Sequence, residues 1–268
     1  MLRKHQLKTL WLIGLTAIMS TLAFSAYGAG SASAAPELLW CMETSGAGTY
    51  SSQANCEKLV TGGTGWEYTE DPLTGETVVL DFTSGKGLIQ TTPNGLHIEC
   101  ASDEGTAELL LVGGLQVFDT TVKFLGCIEL TFGGECNSTA PLGAKGEIIT
   151  TALTGELVYL KKAKALPVGL LLTPVAQPFT TLSCLGGLIK EKVEGSIIGE
   201  VVSPINTQAA SGVILFAENA AKEQQWTKVE EEAAKFELSA FGEKAVEVSE
   251  EATTLLINGV AKVAEVKG

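Results

Sequence analysis

The chain has 268 residues, with 31 Asp and Glu against 18 Lys and Arg, and only two histidines. A chain this acidic is repelled by nucleic acid and by anionic membrane surfaces, which removes both as partners. Its length suffices for one large all-β domain, or for one domain with a small extension.

Residues 1–34 read as a secretory signal. Arg3, Lys4 and Lys8 give a positive start, Leu10 to Ala26 is apolar, and Ala32–Ala34 ("ASA") fits a cleavage site. The apolar core of about 17 residues is broken by Thr and Ser and falls short of the roughly 20 needed to span a bilayer. Cleavage after Ala34 leaves 15 Lys and Arg against 31 Asp and Glu, a net charge of −16. The expected location is secreted or on the exterior of the cell envelope, with no membrane span after the signal is removed. Trp40 is too bulky to precede a lipidated cysteine at Cys41.

The main β domain is expected over residues 35–216. From Thr77 onward, short runs rich in Val, Ile, Thr and Leu ("TVVLDF", "GLHIEC", "AELLLV", "LQVFDTTVKFLGC", "VGLLLTPV", "FTTLSC", "GSIIGEVV", "GVILF") alternate with turn clusters such as "TSGKG", "TPNG" and "PLGAKG". This spacing, with no amphipathic crossover helix before residue 216, predicts an all-β fold: an antiparallel sandwich or barrel. Residues 217–268 read as a small C-terminal extension of β hairpins, with Asn258-Gly259 as a type I′ turn. A competing signal lies near 219–236, where Trp226, Val229, Ala233 and Phe236 recur at helical spacing.

All six cysteines, Cys41, Cys56, Cys100, Cys127, Cys136 and Cys184, lie beyond the signal. An even count in an oxidising compartment predicts a disulfide framework. Fifteen pairings are formally possible. Local closure favours Cys41–Cys56 and Cys127–Cys136, each across a short Gly-rich loop, which leaves Cys100–Cys184. Alternation puts Leu96, Ile98 and Cys100 on one strand face, and Leu182 and Cys184 on another.

Several ordered segments resemble a group of exported, cysteine-containing β-rich proteins of soil actinobacteria. They are Trp40-Cys41 with Cys56, "VKFLGC" with Cys136 and Asn137-Ser138, Gly146–Leu160, Val168–Pro174 and Gly195–Asn206. The resemblance spans residues 38 to 216 and continues loosely beyond. It implies an exported β-rich protein with no assigned activity, extended rather than helical after Phe216.

The chemistry is sparse. After the signal, His97 is the one histidine, on the strand face opposite Leu96, Ile98 and Cys100. Neither the G-x-S-x-G elbow, S-x-x-K, H-E-x-x-H, a P-loop nor G-x-G-x-x-G occurs. The cysteines lack the C-x₂₋₄-C knuckle of zinc sites and the C-x-x-C of redox motifs, and the ordered calcium-loop pattern is missing. No catalytic residue, metal or cofactor is therefore expected. Asp81, Glu99, Asp103, Glu104 and Asp119 are the acids from which a glycosidase pair would be drawn. Trp66 and Tyr68 are weak candidates for stacking on a sugar. The leading expectation is a non-catalytic binding or structural module meeting an extracellular partner or small ligand. Alternatives are a carrier of an apolar ligand inside the β structure and a carbohydrate-active enzyme with a carboxylate pair.

Overall fold

The computed structural model describes residues 35–43, 56, 65–69, 77–91, 95–112, 115–161, 167–203, 205–206, 208–230, 235–240, 243–257, 260–262 and 264–267. The expected signal and the Asn258-Gly259 turn lie outside them. The described chain is all-β and antiparallel, and it is a barrel rather than a sandwich.

Strand β1 (Glu37–Glu43) pairs with β2 (Trp66–Thr69). From β3 onward the chain alternates between two closed rings of strands. β3 (Val78–Ser84) enters the first ring, and β4 (Gly87–Thr91) and β5 (His97–Cys100) the second. β6 (Ser102–Val112) and β7 (Leu115–Leu125) return to the first; β8 (Ile128–Glu129) and β9 (Gly134–Ser138) lie in the second. β10 (Glu147–Ile149) adds to β7, and β11 (Leu153–Tyr159) and β12 (Val168–Pro174) continue the first ring. β13 (Thr180–Cys184) and β14 (Ile189–Gly195) belong to the second, β15 (Ile197–Ser203) and β16 (Gly212–Phe216) to the first, and β17 (Leu238–Ala240) to the second. The 15-residue β18 (Glu243–Ile257) serves both. β19 (Val260–Lys262) pairs back on β18, and β20 (Ala264–Lys267) pairs with β1.

The first ring is an eight-stranded barrel in the order β7–β11–β12–β15–β16–β18–β3–β6. The second closes as β18–β4–β5–β8–β9–β13–β14–β17, some of its ladders only two residue pairs long. The segment read as a C-terminal extension thus supplies a stave common to both rings. Closure removes the free edges of the ring strands, which answers the aggregation hazard of open sheets there.

Period-two alternation fills the first barrel. Val122 and Phe124 point inward as their spacing predicts, with Phe118, Leu153, Leu172, Ile197, Val201 and Leu255, all buried. On one inward row Phe82 pairs with Gly105. A methyl at Gly105 would overlap the Phe82 ring and sit 2.8 Å from the Thr121 carbonyl oxygen. Gly105→Ala is accordingly expected to cost about 1–3 kcal/mol, read as a lower denaturant midpoint at unchanged slope; an unchanged midpoint would mean Phe82 can turn aside freely.

One mouth of this barrel is stoppered by β1 and β20, whose Leu38, Trp40 and Val266 are buried. Gln116 grips the stopper as a strand would. Its Oε1 accepts from the Leu38 N–H at 2.6 Å, and its Nε2 donates to the Leu38 carbonyl at 2.7 Å.

The run "VGLLLTP" is buried on both faces, as a continuous apolar strand must be. Leu170 and Leu172 face the barrel cavities, whereas Leu171 packs outside with Leu160, Ile198, Val229, Trp226 and Phe236. Here the competing helical signal near 219–236 is not realised; its Ala233 lies outside the described residues. No helix is formed by the described residues between 219 and 236, and regular strand resumes only at Leu238. The apolar residues converge because irregular chain wraps the barrel wall, fixed by a Leu160–Val229 bridge, Glu230 N–H to the Tyr159 carbonyl, and Trp226 Nε1 to Glu200 Oε2 at 2.9 Å. Backbone bonds to a neighbouring wall outweigh the intrahelical alternative.

The disulfides correct the predicted pairing. Cys41–Cys56 is present as expected, but the other bridges are Cys100–Cys127 and Cys136–Cys184. Cys127–Cys136 and Cys100–Cys184 are not formed. Register explains why. Cys184 on β13 stands opposite Cys136 on β9, and continuing the β5–β8 and β8–β9 registers by one residue puts Cys127, just before β8, between Cys100 and Cys136. The four form one row across adjacent strands. Pairing the middle two would strand Cys100 and Cys184 three strand spacings apart, about 14 Å, beyond disulfide reach.

Candidate functional site

The densest polar chemistry lies where the two rings share β18. Its alternate residues Glu247, Ser249, Glu251 and Thr253 are all buried, between apolar Ala245 at one end and Leu255 at the other. Across the sheet, Glu251 faces Ser84, and Ser84 faces Asp103. Ser84 Oγ donates to Asp103 Oδ2, and Ser249 Oγ lies 2.5 Å from Glu247 Oε1 and 3.0 Å from Glu251 Oε1. The opposite face of β18 is covered too, because residues 217–224 fold over it. Gln90 Nε2 donates to Glu218 Oε2 at 2.5 Å, and Gln224 Oε1 accepts from the Glu247 N–H at 3.3 Å.

None of the ion pairs among the described residues reaches Asp103, Glu247 or Glu251. Burial therefore pushes the Glu247 carboxyl up to about 8; the Ser249 hydroxyl opposes this and the Asp103 charge adds to it. Glu251 is pushed up to about 9, first by burial, then by its hydrogen bond and repulsion with Asp103 and by the Glu247 charge. At neutral pH this seam holds protons rather than a full set of carboxylates. It does not resemble a metal centre, since no group of three or more ligating side chains among the described residues could hold an ion.

The acids named from the sequence are dispersed. Asp103 is in the seam. Glu99 pairs with Lys86 at 2.6 Å, Glu104 with Lys123 at 3.4 Å, and Asp81 and Asp119 point away from the barrel interior. None of these five lines the cavities described below. His97 is half-buried on the outer side of β5, opposite buried Leu96, Ile98 and Cys100, as alternation predicts.

Trp66 and Tyr68 share one half-buried face of β2, on the side of Cys41 and away from the barrel-facing Leu38 and Trp40. The acids that flank them in sequence, Glu70 and Asp71, are outside the described residues. Glu129, which alternation does not single out, is buried at the β8–β9 turn. Burial alone would raise its carboxyl, yet the N–H groups of Phe132 (2.7 Å) and Thr131 (3.0 Å) hold it below the ordinary value. Gly133, at φ +71°, closes the same turn.

Three voids matter. Two lie inside the first barrel, about 50 and 40 Å³, lined by Leu80, Phe118, Leu170 and Ile214. The third is an open cleft of about 490 Å³ on the outer wall of the second ring, lined by Thr139, Thr181, Lys190, Lys192, Glu194 and Ser239 among others. Only the last falls in the 300–1,000 Å³ range of small-molecule sites.

Fold and site together define a disulfide-stapled, double-ringed antiparallel β protein with a polar seam at the shared strand. Comparison with family models, with curated proteins and with solved structures found no match.

Proposed function

We propose that the chain is an exported protein acting outside the cytoplasm as a non-catalytic binding module that meets its ligand on its outer surface. The observation that carries this reading is the contrast between small interior voids and the ligand-sized polar cleft beside β13, β14 and β17. Pairing of all six cysteines supports an oxidising compartment. No helix among the described residues is long and apolar enough to cross a membrane. Kinship with the actinobacterial group rests on the motifs quoted above and belongs to this proposal.

The test is expression of the full chain in a secreting bacterial host, followed by N-terminal sequencing, thiol titration and a glycan and lipid binding screen. The expected result is extracellular protein beginning at Ala35, without free thiol, whose best hit weakens when Lys190 and Lys192 are both changed to Ala. Cytoplasmic retention with free thiols would overturn the compartment, and turnover of a glycoside in the screen would overturn the non-catalytic reading.

A further inference from the structure

The four-cysteine row has three adjacent couples but only two bridges. Cys100–Cys127 and Cys136–Cys184 are bonded, with Cα separations of 4.0 and 4.1 Å. The middle couple, Cys127 and Cys136, is not bonded by sulfur, yet the Cys136 N–H donates to the Cys127 carbonyl at 2.9 Å. Only this one rung joins them, since the Cys127 N–H donates instead to the Gly146 carbonyl at 2.9 Å; directly opposed residues of antiparallel strands stand about 4.5–5.5 Å apart at Cα, within the range that disulfides span. All four side chains share one face and are at most 1% exposed.

We propose that this row is an exchange path that gives the second ring two alternative disulfide frames, one with both outer bridges and one with the middle bridge alone. The chemistry closes with an external thiol as reductant. Its thiolate attacks Cys184 Sγ, forming a mixed disulfide and releasing the Cys136 thiolate. That thiolate attacks Cys127 Sγ; a Cys127–Cys136 bond forms, the Cys100–Cys127 bond breaks, and Cys100 leaves as a thiolate that takes a proton from water. A second external thiolate then frees Cys184 and departs as the external disulfide. Two electrons enter, and two thiols are left at opposite ends of the row.

Two features favour this outcome. The middle bridge closes the shortest loop of the three couples, and shorter loops cost less to close. The ends of the row, about 14 Å apart, cannot rejoin each other directly. Reoxidation must therefore retrace the exchange, so the middle-bridged form persists as a distinct state. Reductant gains its entry beside Cys184, where Leu185, Gly186 and Gly187 all take left-handed backbone, at φ +55°, +66° and +98°. Such a conformation is costly for Leu185, and Leu188, which ends this turn, is 86% exposed, so the chain just after Cys184 meets solvent.

The experiment is peptide mapping of the acid-quenched full chain under non-reducing conditions, for Cys184→Ser and, separately, Cys100→Ser. Each variant frees one inner thiol without any added reductant. The expected result is a Cys127–Cys136-linked peptide in both, with loss of Cys100–Cys127 in the first and of Cys136–Cys184 in the second. Wild type under limiting thiol should show the same linked peptide, with alkylation at Cys100 and Cys184; this arm reads the proposal if either variant misfolds. A free thiol confined to Cys136 in the first variant and to Cys127 in the second, with no middle bridge, overturns it. So does wild-type alkylation confined to bonded couples.

Discussion

Raising the pH from 5 to 9 is expected to remove on the order of 5 kcal/mol of stability, the reverse of ordinary acid denaturation. The origin is the seam on β18. Burial raises the carboxyls of Glu247 and Glu251 from the ordinary 4.5 to about 8 and about 9. A group whose pKa is higher folded than unfolded holds its proton more tightly in the native state. Its contribution is complete below the unfolded value and is lost as pH climbs through the folded one. Each unit is worth about 1.4 kcal/mol, and the two groups couple through Asp103, so their effects do not simply add.

The groups facing these carboxyls are Ser84 from β3, Asp103 from β6 and Ser249 from β18 itself, while Gln224 of the covering segment accepts from the Glu247 backbone N–H. No cation is among them. Glu129 works in the opposite sense and over a lower range, since its depressed carboxyl stabilises above the ordinary value and is lost on acidification. Thermal melts at pH 5, 7 and 9 read the prediction. Wild type should melt lowest at pH 9, and Glu251→Gln should flatten the profile while staying close to wild type at pH 5. A wild-type curve that is level or rises between pH 5 and 8 would sink the seam argument.

The second large effect is covalent. The bridges span 15, 27 and 48 residues. Loop-closure reasoning assigns them about 3, 3.5 and 4 kcal/mol, together on the order of 10 against a typical total stability of 5–15. Urea denaturation should therefore find Cys136→Ala with Cys184→Ala less stable than wild type by about 4 kcal/mol. The corresponding loss for Cys41→Ala with Cys56→Ala is about 3. Complete reduction should leave a chain unable to refold at 37 °C. If both double variants stayed within 1 kcal/mol of wild type, native packing rather than cross-linking would be holding the second ring closed.

How much of this was legible from the residues varies by element, for identifiable reasons. Inward and outward positions of "LHIEC" and "TTVKF" follow from alternation alone, because each strand has one face on a core. The two-faced burial of Val168–Pro174 was equally plain from its unbroken apolar run. The cysteine partners were not. Sequence separation reveals only the entropy of local closure, whereas the neighbours of β8 and β9 on their far sides, β5 and β13, are fixed by ring topology.

The helical spacing of Trp226, Val229 and Phe236, kept as a competing signal beside the β-hairpin reading, marks a shared contact and no helix, since three apolar residues can share a contact without sharing a helical face. The seam was hidden most completely. In "KAVEVSEEATT" the valines claim the core and the acids claim solvent. Burial of Glu247 and Glu251 on one face and of Val246 on the other arises because β18 has a barrel on one side and residues 217–224 folded over the other.

The shared strand has a consequence for how this molecule can come apart. From β3 to β18 the chain crosses between the rings every one to three strands, so neither ring is a contiguous length of sequence. A single cut between β6 and β16 divides the staves of both cylinders between the two fragments. The protein cannot shed one half and keep the other, as a chain of beads can. Its architecture is woven, and its unit of inheritance, of proteolytic survival and of unfolding is the whole fabric.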